Sequence, residues 1–220
     1  MSNGRVFLVD DDTSILKALQ RLLKIADFDV EAFQSAEDFL VHHDTKTPGC
    51  AVLDVGLGAW NGLDLLRALA RSGQMRPTIF ITGTDDIATS VRAMKAGAID
   101  FLTKPVQATD LIEAVRNGVE RDRSDRAQGV KLASIAKRLS SLTPKESEVL
   151  TRVIAGRLNK QIADELGISV KTVKVHRGRV MAKMGIRTVA DLVRTVEPVL
   201  IHLLGGGLLA DPDERGAPHA

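Results

Sequence analysis

The chain has 220 residues, 26% of them charged and 44% hydrophobic, with a formal net charge of +2 and a single cysteine. That length admits one large domain or two small ones, and with aromatics at 3%, no Tyr and only Trp60, a base-stacking platform for single-stranded nucleic acid is poorly supplied. Cys50 stands alone within an apolar run, which excludes an intramolecular disulfide and a cysteine-rich zinc site and reads as a small buried hydrophobe in a reducing compartment.

The first apolar stretch is cut off by Asp10, Asp11 and Asp12, so neither a secretory core nor a membrane span can be drawn there. The most apolar late segment, residues 196–210, contains Glu197, Pro198, His202 and three glycines and is too short to cross a bilayer. A soluble, cytoplasmic protein without a membrane partner is expected.

Short apolar runs alternate with helical spacing. Val6, Phe7, Leu8 and Val9 form the first run, and residues 30–33, Ala51 with Val52 and Leu53, Ile79 with Phe80 and Ile81, and residues 99–102 form the others. Between them Ile15, Leu16, Leu19, Leu22 and Leu23 recur at helical intervals, as do Leu63, Leu65, Leu66 and Leu69, then Ile87, Val91 and Met94, while Leu111, Ile112 and Val115 begin a fifth helix. Continuously apolar strands alternating with helices predict an α/β domain over residues 1–121, a doubly wound five-stranded parallel sheet covered on both faces.

Residues 122–140 are polar, with Val130, Leu132, Ile135 and Leu139 at heptad-like intervals, and read as a linker that could be helical. Residues 141–204 read as an all-α domain of four helices. Thr143, Pro144 and Glu146 form a capping box with Pro at the first helical position. A second short helix follows Asn159 and stops at Gly167, Ser169 caps a third that runs to Gly185, and a fourth spans 189 to about 197. The Gly/Pro/Asp-rich tail, residues 205–220, is expected to be disordered. Charge divides at the same boundary: residues 1–122 hold 13 basic and 18 acidic side chains, net −5, and residues 123–220 hold 17 and 10, net +7.

Ligands of an open parallel sheet bind beyond the carboxyl ends of its strands. Asp10, Asp11 and Asp12 end the first strand, Asp54 the third, Thr82 the fourth, and Lys104 with Pro105 follows the fifth. Clustered carboxylates need a cation to share them, and Mg2+, held by one or two carboxylates, water and phosphate oxygen, suits the set. With Mg2+ on one side and Lys104 on the other, a phosphoryl group could be received by Asp54 as an aspartyl phosphate, since such transfer depends mostly on positioning and charge neutralisation.

The stretches VFLVDDD, AVLD, IFITG and MKAGAIDFLTKP, with their spacing, resemble the receiver domain of two-component response regulators of the FixJ-like group. The resemblance implies a flavodoxin-like fold, a Mg2+ site at Asp10, Asp11, Asp54 and the Gly56 backbone carbonyl, Asp54 as phosphoacceptor, Lys104 and Thr82 as catalytic partners, and Thr82 and Phe101 as the switch pair. It also implies a cis peptide before Pro105. The family's Met-Pro pair after the phosphoacceptor is replaced by residues 55–62, VGLGAWNG, whose glycines should loosen the loop.

From Lys171 to Arg187 there are six basic residues and no acidic one. A short helix, the turn at 167–169 and this basic helix form a helix-turn-helix, whose second helix can enter the major groove. Lys171 and Lys174 share an outward stripe with Val175 beside them; Lys174 could reach a guanine edge and Val175 a thymine methyl. Thr172, His176, Arg177 and Arg179 are placed for phosphates, which fix register without reading sequence. Residues 141–200 resemble the LuxR/NarL/FixJ-type DNA-binding domain, which puts Lys174, Val175 and His176 at DNA. The same resemblance makes the fourth helix a dimerisation element with apolar positions Val189, Leu192, Val193 and Val196.

The expected function is a non-enzymatic response regulator, phosphorylated on Asp54 by a sensor histidine kinase and binding double-stranded DNA as a homodimer to act on RNA polymerase. A phosphate-independent receiver serving as an interaction module is the alternative. An enzyme reading, in which Asp10 and Asp12 resemble the start of a haloacid-dehalogenase-type phosphatase with Asp10 as nucleophile, lacks the further acidic pair that fold needs after Lys104.

Overall fold

The structure, a computed structural model, describes residues 3–83 and 87–205. The chain divides into two compact units, 1–127 and 128–220.

The first unit contains β1 (Arg5–Val9), α1 (Thr13–Ile25), β2 (Asp29–Phe33), α2 (Ala36–His42), β3 (Gly49–Asp54), β4 (Gly56–Leu57), β5 (Trp60–Asn61), α3 (Gly62–Arg71), β6 (Thr78–Thr82), α4 (Ile87–Lys95), β7 (Asp100–Thr103) and the start of α5 (Ala108–Ser140). Five strands pair in parallel in the order β2-β1-β3-β6-β7, and β4 and β5 make a separate antiparallel hairpin. Alternate residues of each strand serve opposite faces. Val6, Leu8 and Val52 pack on Leu16, Leu19 and Leu23 of α1 and on Leu111 and Val115 of α5. Phe7, Leu53 and Phe80 pack on Phe39 of α2, Leu66 of α3 and Ala93 of α4. Burial on both sides is why these strands are apolar without alternation.

Asp12 caps α1, its carboxylate accepting from the Ser14 and Ile15 amides, and Ser35 caps α2. At seven residues α2 is too short to show a helical period in the sequence. Residues 122–140, read from the sequence as a linker that could be helical, are helical: α5 runs through them to Ser140. Asp122, 4% exposed, accepts from the Gly49 amide (2.8 Å) and from Arg126 Nε (2.7 Å), so the helix is fastened to the start of β3 beyond the boundary drawn from composition. Ile135 and Leu139, further along, pack on the core of the second unit.

That second unit comprises the end of α5, α6 (Pro144–Ile154), α7 (Asn159–Leu166), α8 (Val170–Met184) and α9 (Val189–Gly205). Val149, Val153, Ile162, Val173, Val180 and Met184 form its centre. The capping box is present on α6, Ser169 caps α8, and Gly167 and Gly185 end α7 and α8 with φ of +65° and +68°, the left-handed conformation that favours glycine. α9 runs on through Pro198, which forgoes a donor to the Arg194 carbonyl, to Gly205. Residues 206–220 of the expected tail lie outside the described residues. Among the described residues no helix is long and apolar enough to cross a membrane.

Glu146 is 2% exposed and joins α6 to α8: Lys183 Nζ donates to its Oε2 at 2.6 Å, and the Thr143 amide donates to the same oxygen at 2.9 Å. The Lys183 ammonium, then the Thr143 amide, hold its carboxyl down at about 2, against 4.5 ordinarily. A depressed folded value stabilises the fold above the unfolded value and loses that contribution as pH falls through the folded one. The unfolding midpoint of the second unit should therefore fall between pH 4.5 and about 2, and Glu146→Gln should flatten that decline. Urea titrations at several pH values, followed by helical circular dichroism, check this; an equal decline in the variant would dismiss the pair as its cause.

Candidate functional site

At the carboxyl ends of β1, β3, β6 and the turn after β7, the parallel register brings Asp10, Asp54, Thr82 and Lys104 together. Lys104 Nζ lies 2.6 Å from Asp54 Oδ1 and 3.0 Å from Asp10 Oδ2. The backbone aims it: the Lys104 amide donates to the Thr82 carbonyl (2.7 Å), and the Lys104–Pro105 peptide is cis. Asp10 is 3% and Asp54 8% exposed, and Thr82 is buried at the end of β6. Asp10 Oδ1 accepts the Asp12 amide (2.9 Å), and Asp54 Oδ2 accepts the Gly56 amide (2.6 Å).

Burial pushes the Asp54 carboxyl above its usual range, helped by the charge of Asp10 and opposed by Lys104. For Lys104, burial works against the charge, but hydrogen bonds and charges of Asp54 and Asp10 outweigh it and raise its pKa. Two buried carboxylates thus share one ammonium, leaving the site short of positive charge. No cluster of three or more His, Cys, Asp or Glu side chains able to hold a metal is assembled among the described residues. Mg2+ asks for less, one or two carboxylates with water and phosphate oxygen. A hard, all-oxygen donor set that lacks compensating charge fits that ion.

Asp11 is exposed beside the hairpin: a Cβ on Gly58, whose φ is +60°, would lie 3.7 Å from Asp11 Oδ2. The segment expected to be a loose loop is the β4–β5 hairpin, closed by Leu57 and Trp60 and tied to α2 by Trp60 Nε1, which donates to Glu37 Oε1 (2.5 Å). Behind it Gly62 is required by space, since a Cβ there would stand 2.4 Å from the Asp54 carbonyl. Phe101 is half-buried on β7 against the aromatic side of the core.

In the second unit α7, the turn at Gly167 and α8 make the helix-turn-helix. Lys171, Lys174, Val175 and Arg179 are exposed on α8, with open space beside Gly178. Other residues assigned to DNA are engaged within the unit. Arg177 donates to Asn159 Oδ1 (2.9 Å) at the start of α7, and the Thr172 hydroxyl meets Ser169 Oγ (2.8 Å). His176 is half-buried, with a buried Nδ1 lacking a partner. The expected dimerisation stripe needs correction. Leu192 and Val196 are fully buried in the unit's own core and Val189 packs on it, because a four-helix domain this small needs that face of α9 for itself. Val193 is half-buried, and α9 exposes Arg194, Glu197, Leu200 and Ile201 instead.

Fold and site define a receiver unit followed by a helix-turn-helix DNA-binding unit. Residues 6–116 match the family described as "Response regulator receiver domain", and residues 140–196 that described as "Bacterial regulatory proteins, luxR family". The chain is 43% identical to Nodulation protein W of Bradyrhizobium diazoefficiens over 87% of its length and 85% of that protein's. It is 40% identical to the transcriptional regulatory protein FixJ of Rhizobium meliloti over 88% and 95%. Among solved structures, the response regulator StyR is similar at a TM-score of 0.78 and 42% identity, covering 88% of this chain and 98% of that one. Full-length FixJ from B. japonicum is similar at 0.56 and 33%, covering 91% and 99%. The chain belongs to the response regulators that join a receiver to a LuxR-type DNA-binding domain, and is homologous to transcriptional regulators such as FixJ.

Proposed function

We propose that this regulator is switched by phosphorylation of Asp54. The observation carrying the proposal is Lys104 Nζ bridging Asp54 and Asp10 at the carboxyl end of the sheet. A sensor histidine kinase donates the phosphoryl group: its phosphohistidine P–N bond breaks and a P–O bond to an Asp54 oxygen forms. Asp10, Asp11, Asp54 and the Gly56 carbonyl would hold Mg2+, which when bound would supply neutralising charge to the phosphoryl oxygens. Lys104 follows the charge that moves from Asp54 onto those oxygens. Thr82 turns toward them and Phe101 moves inward.

Such a charge event biases a two-state element, here the face of α4 and β7, where Val91 and Met94 are exposed. Shifting it from mostly off to mostly on needs about 5.5 kcal/mol of differential stabilisation. The altered face favours a homodimer, which pairs two α8 helices on adjacent half-sites and controls transcription by RNA polymerase. On this reading the protein acts in the cytoplasm and carries out no catalysis beyond its own phosphotransfer and dephosphorylation.

Labelling with acetyl phosphate and Mg2+ tests the reading. Wild type should acquire one phosphoryl group and Asp54→Asn none. Label mapped to Asp10 would favour the phosphatase-like chemistry, and an unlabelled wild type whose DNA binding ignores the donor would favour a phosphate-independent module.

A further inference from the structure

The receiver unit has a polar cavity at the end of the sheet opposite Asp54. It measures about 530 Å³ and is lined by Thr45, Arg76, Ile99, Arg121, Asp122 and Arg126 among others. This is the size range of small-molecule sites, roughly 300–1,000 Å³. Pro77, just before β6, also lines it, and Asp122 bonds the first residue of β3, so the cavity sits at the amino ends of the strands.

Its charges do not balance: three arginines line it against two aspartates, Asp122 and Asp125. Asp122 Oδ2 accepts from Arg126 Nε and the Gly49 amide, Arg126 also donates from Nη1 and Nη2 to the Lys46 and Thr45 carbonyls, and the charge of Asp122 acts on Arg76 as well without pairing with it. Asp125 stands 4.0 Å from Arg121 in an exposed pair, which binds it weakly. Arg76 is left over. It is 3% exposed, donates from Nη2 to the Asp44 carbonyl (2.8 Å), and lies with its guanidinium carbon 4.0 Å from the centre of the Phe7 ring. Its Nε and Nη1 have no acceptor, and it makes no ion pair among the described residues. A buried guanidinium with unpaired N–H groups is costly unless something supplies acceptors and opposite charge.

We propose that this cavity binds a small oxyanion, a carboxylate or phosphate compound, with Arg76 as its deep anchor and Arg121 at its rim. Arginine is suited to such groups because its planar donors and permanent charge match their oxygens. Solvent does not reach Nε or Nη1 as the side chain stands, so binding turns the guanidinium from the Phe7 face toward the cavity. The ligand would thereby engage the base of β6 and the stretch of α5 at Arg121, away from the acidic site.

The test uses the full chain carrying Asp54→Asn, without Mg2+, titrated calorimetrically with inorganic phosphate and separately with citrate. Saturable binding of at least one, with a Kd of about 1 mM or tighter, is expected, and which one binds names the class. Arg76→Met should remove it and Arg121→Ala should weaken it several-fold, with amide shifts in the NMR spectrum at Thr45, Gln74 and Ile99. Should Arg76→Met fail to fold, Arg121→Ala decides. No saturable binding of either anion, or affinities that the folded variants leave unchanged, would overturn the proposal and leave Arg76 as an arginine held by Phe7 and the Asp44 carbonyl alone.

Discussion

Replacing Lys104 with methionine should destabilise the receiver unit by about 3 kcal/mol at neutral pH without Mg2+, and lower acetyl phosphate labelling about 100-fold. The stability loss follows from what the ammonium leaves behind. Asp10 and Asp54 have side chains only 5% and 9% exposed, and each accepts from Lys104 Nζ. Without it, two buried negative charges face each other with only backbone amides to compensate. Breaking a buried ion pair costs about 3–5 kcal/mol, and the lower end applies because Lys104 retains some solvent access. The deficit should narrow in acid, where protonation removes the repulsion. Asp10→Asn should behave in the opposite sense. It deletes one negative charge, keeps an oxygen for the Asp12 amide, and leaves the Asp54–Lys104 pair intact, so its unfolding midpoint should equal or exceed that of wild type. Trp60, the single tryptophan, lies in the hairpin beside the site and reports receiver unfolding in urea selectively. An unchanged midpoint for Lys104→Met would mean that water, rather than the lysine, compensates the two carboxylates.

How far the sequence discloses this site depends on the kind of residue. Strands buried on both faces leave an apolar run, and the residue ending each run is pinned by register, so Asp10, Asp54, Thr82 and Lys104 are legible as one constellation. The β4–β5 hairpin is not, because two-residue strands have no period and its stability comes from tertiary contacts, Trp60 to Glu37 among them. Buried polar residues are equally silent. Arg76, Asp122 and Glu146 look like ordinary surface charges in the sequence, and only packing shows that each is nearly inaccessible. The same limit explains α9: helical spacing identifies an apolar stripe at Leu192 and Val196 but does not say whether that stripe meets its own domain or a second copy.

Lys174→Ala should cost about 1–3 kcal/mol of affinity for the cognate operator and relax base preference at one position per half-site, with no loss of thermal stability. Helix α8 carries two kinds of basic residue. Arg177 and Lys183 are spent inside the unit, on Asn159 and on Glu146, so truncating either mainly loosens the packing of α7 or α6 against α8. Lys171, Lys174 and Arg179 are exposed and make no side-chain hydrogen bond or ion pair among the described residues. Lys174 and the 47% exposed Val175 occupy the amino-terminal half of the helix, the half that enters the major groove in this motif. Arg179 lies further along, so Arg179→Ala should weaken all DNA sequences alike and reduce the slope of log affinity against log salt by about 1. Binding measured on operator and scrambled duplexes across a salt series separates the effects. If Lys174→Ala lowered affinity for both duplexes by the same factor, the lysine would be a phosphate contact, and base reading would have to come from Lys171 or Val175.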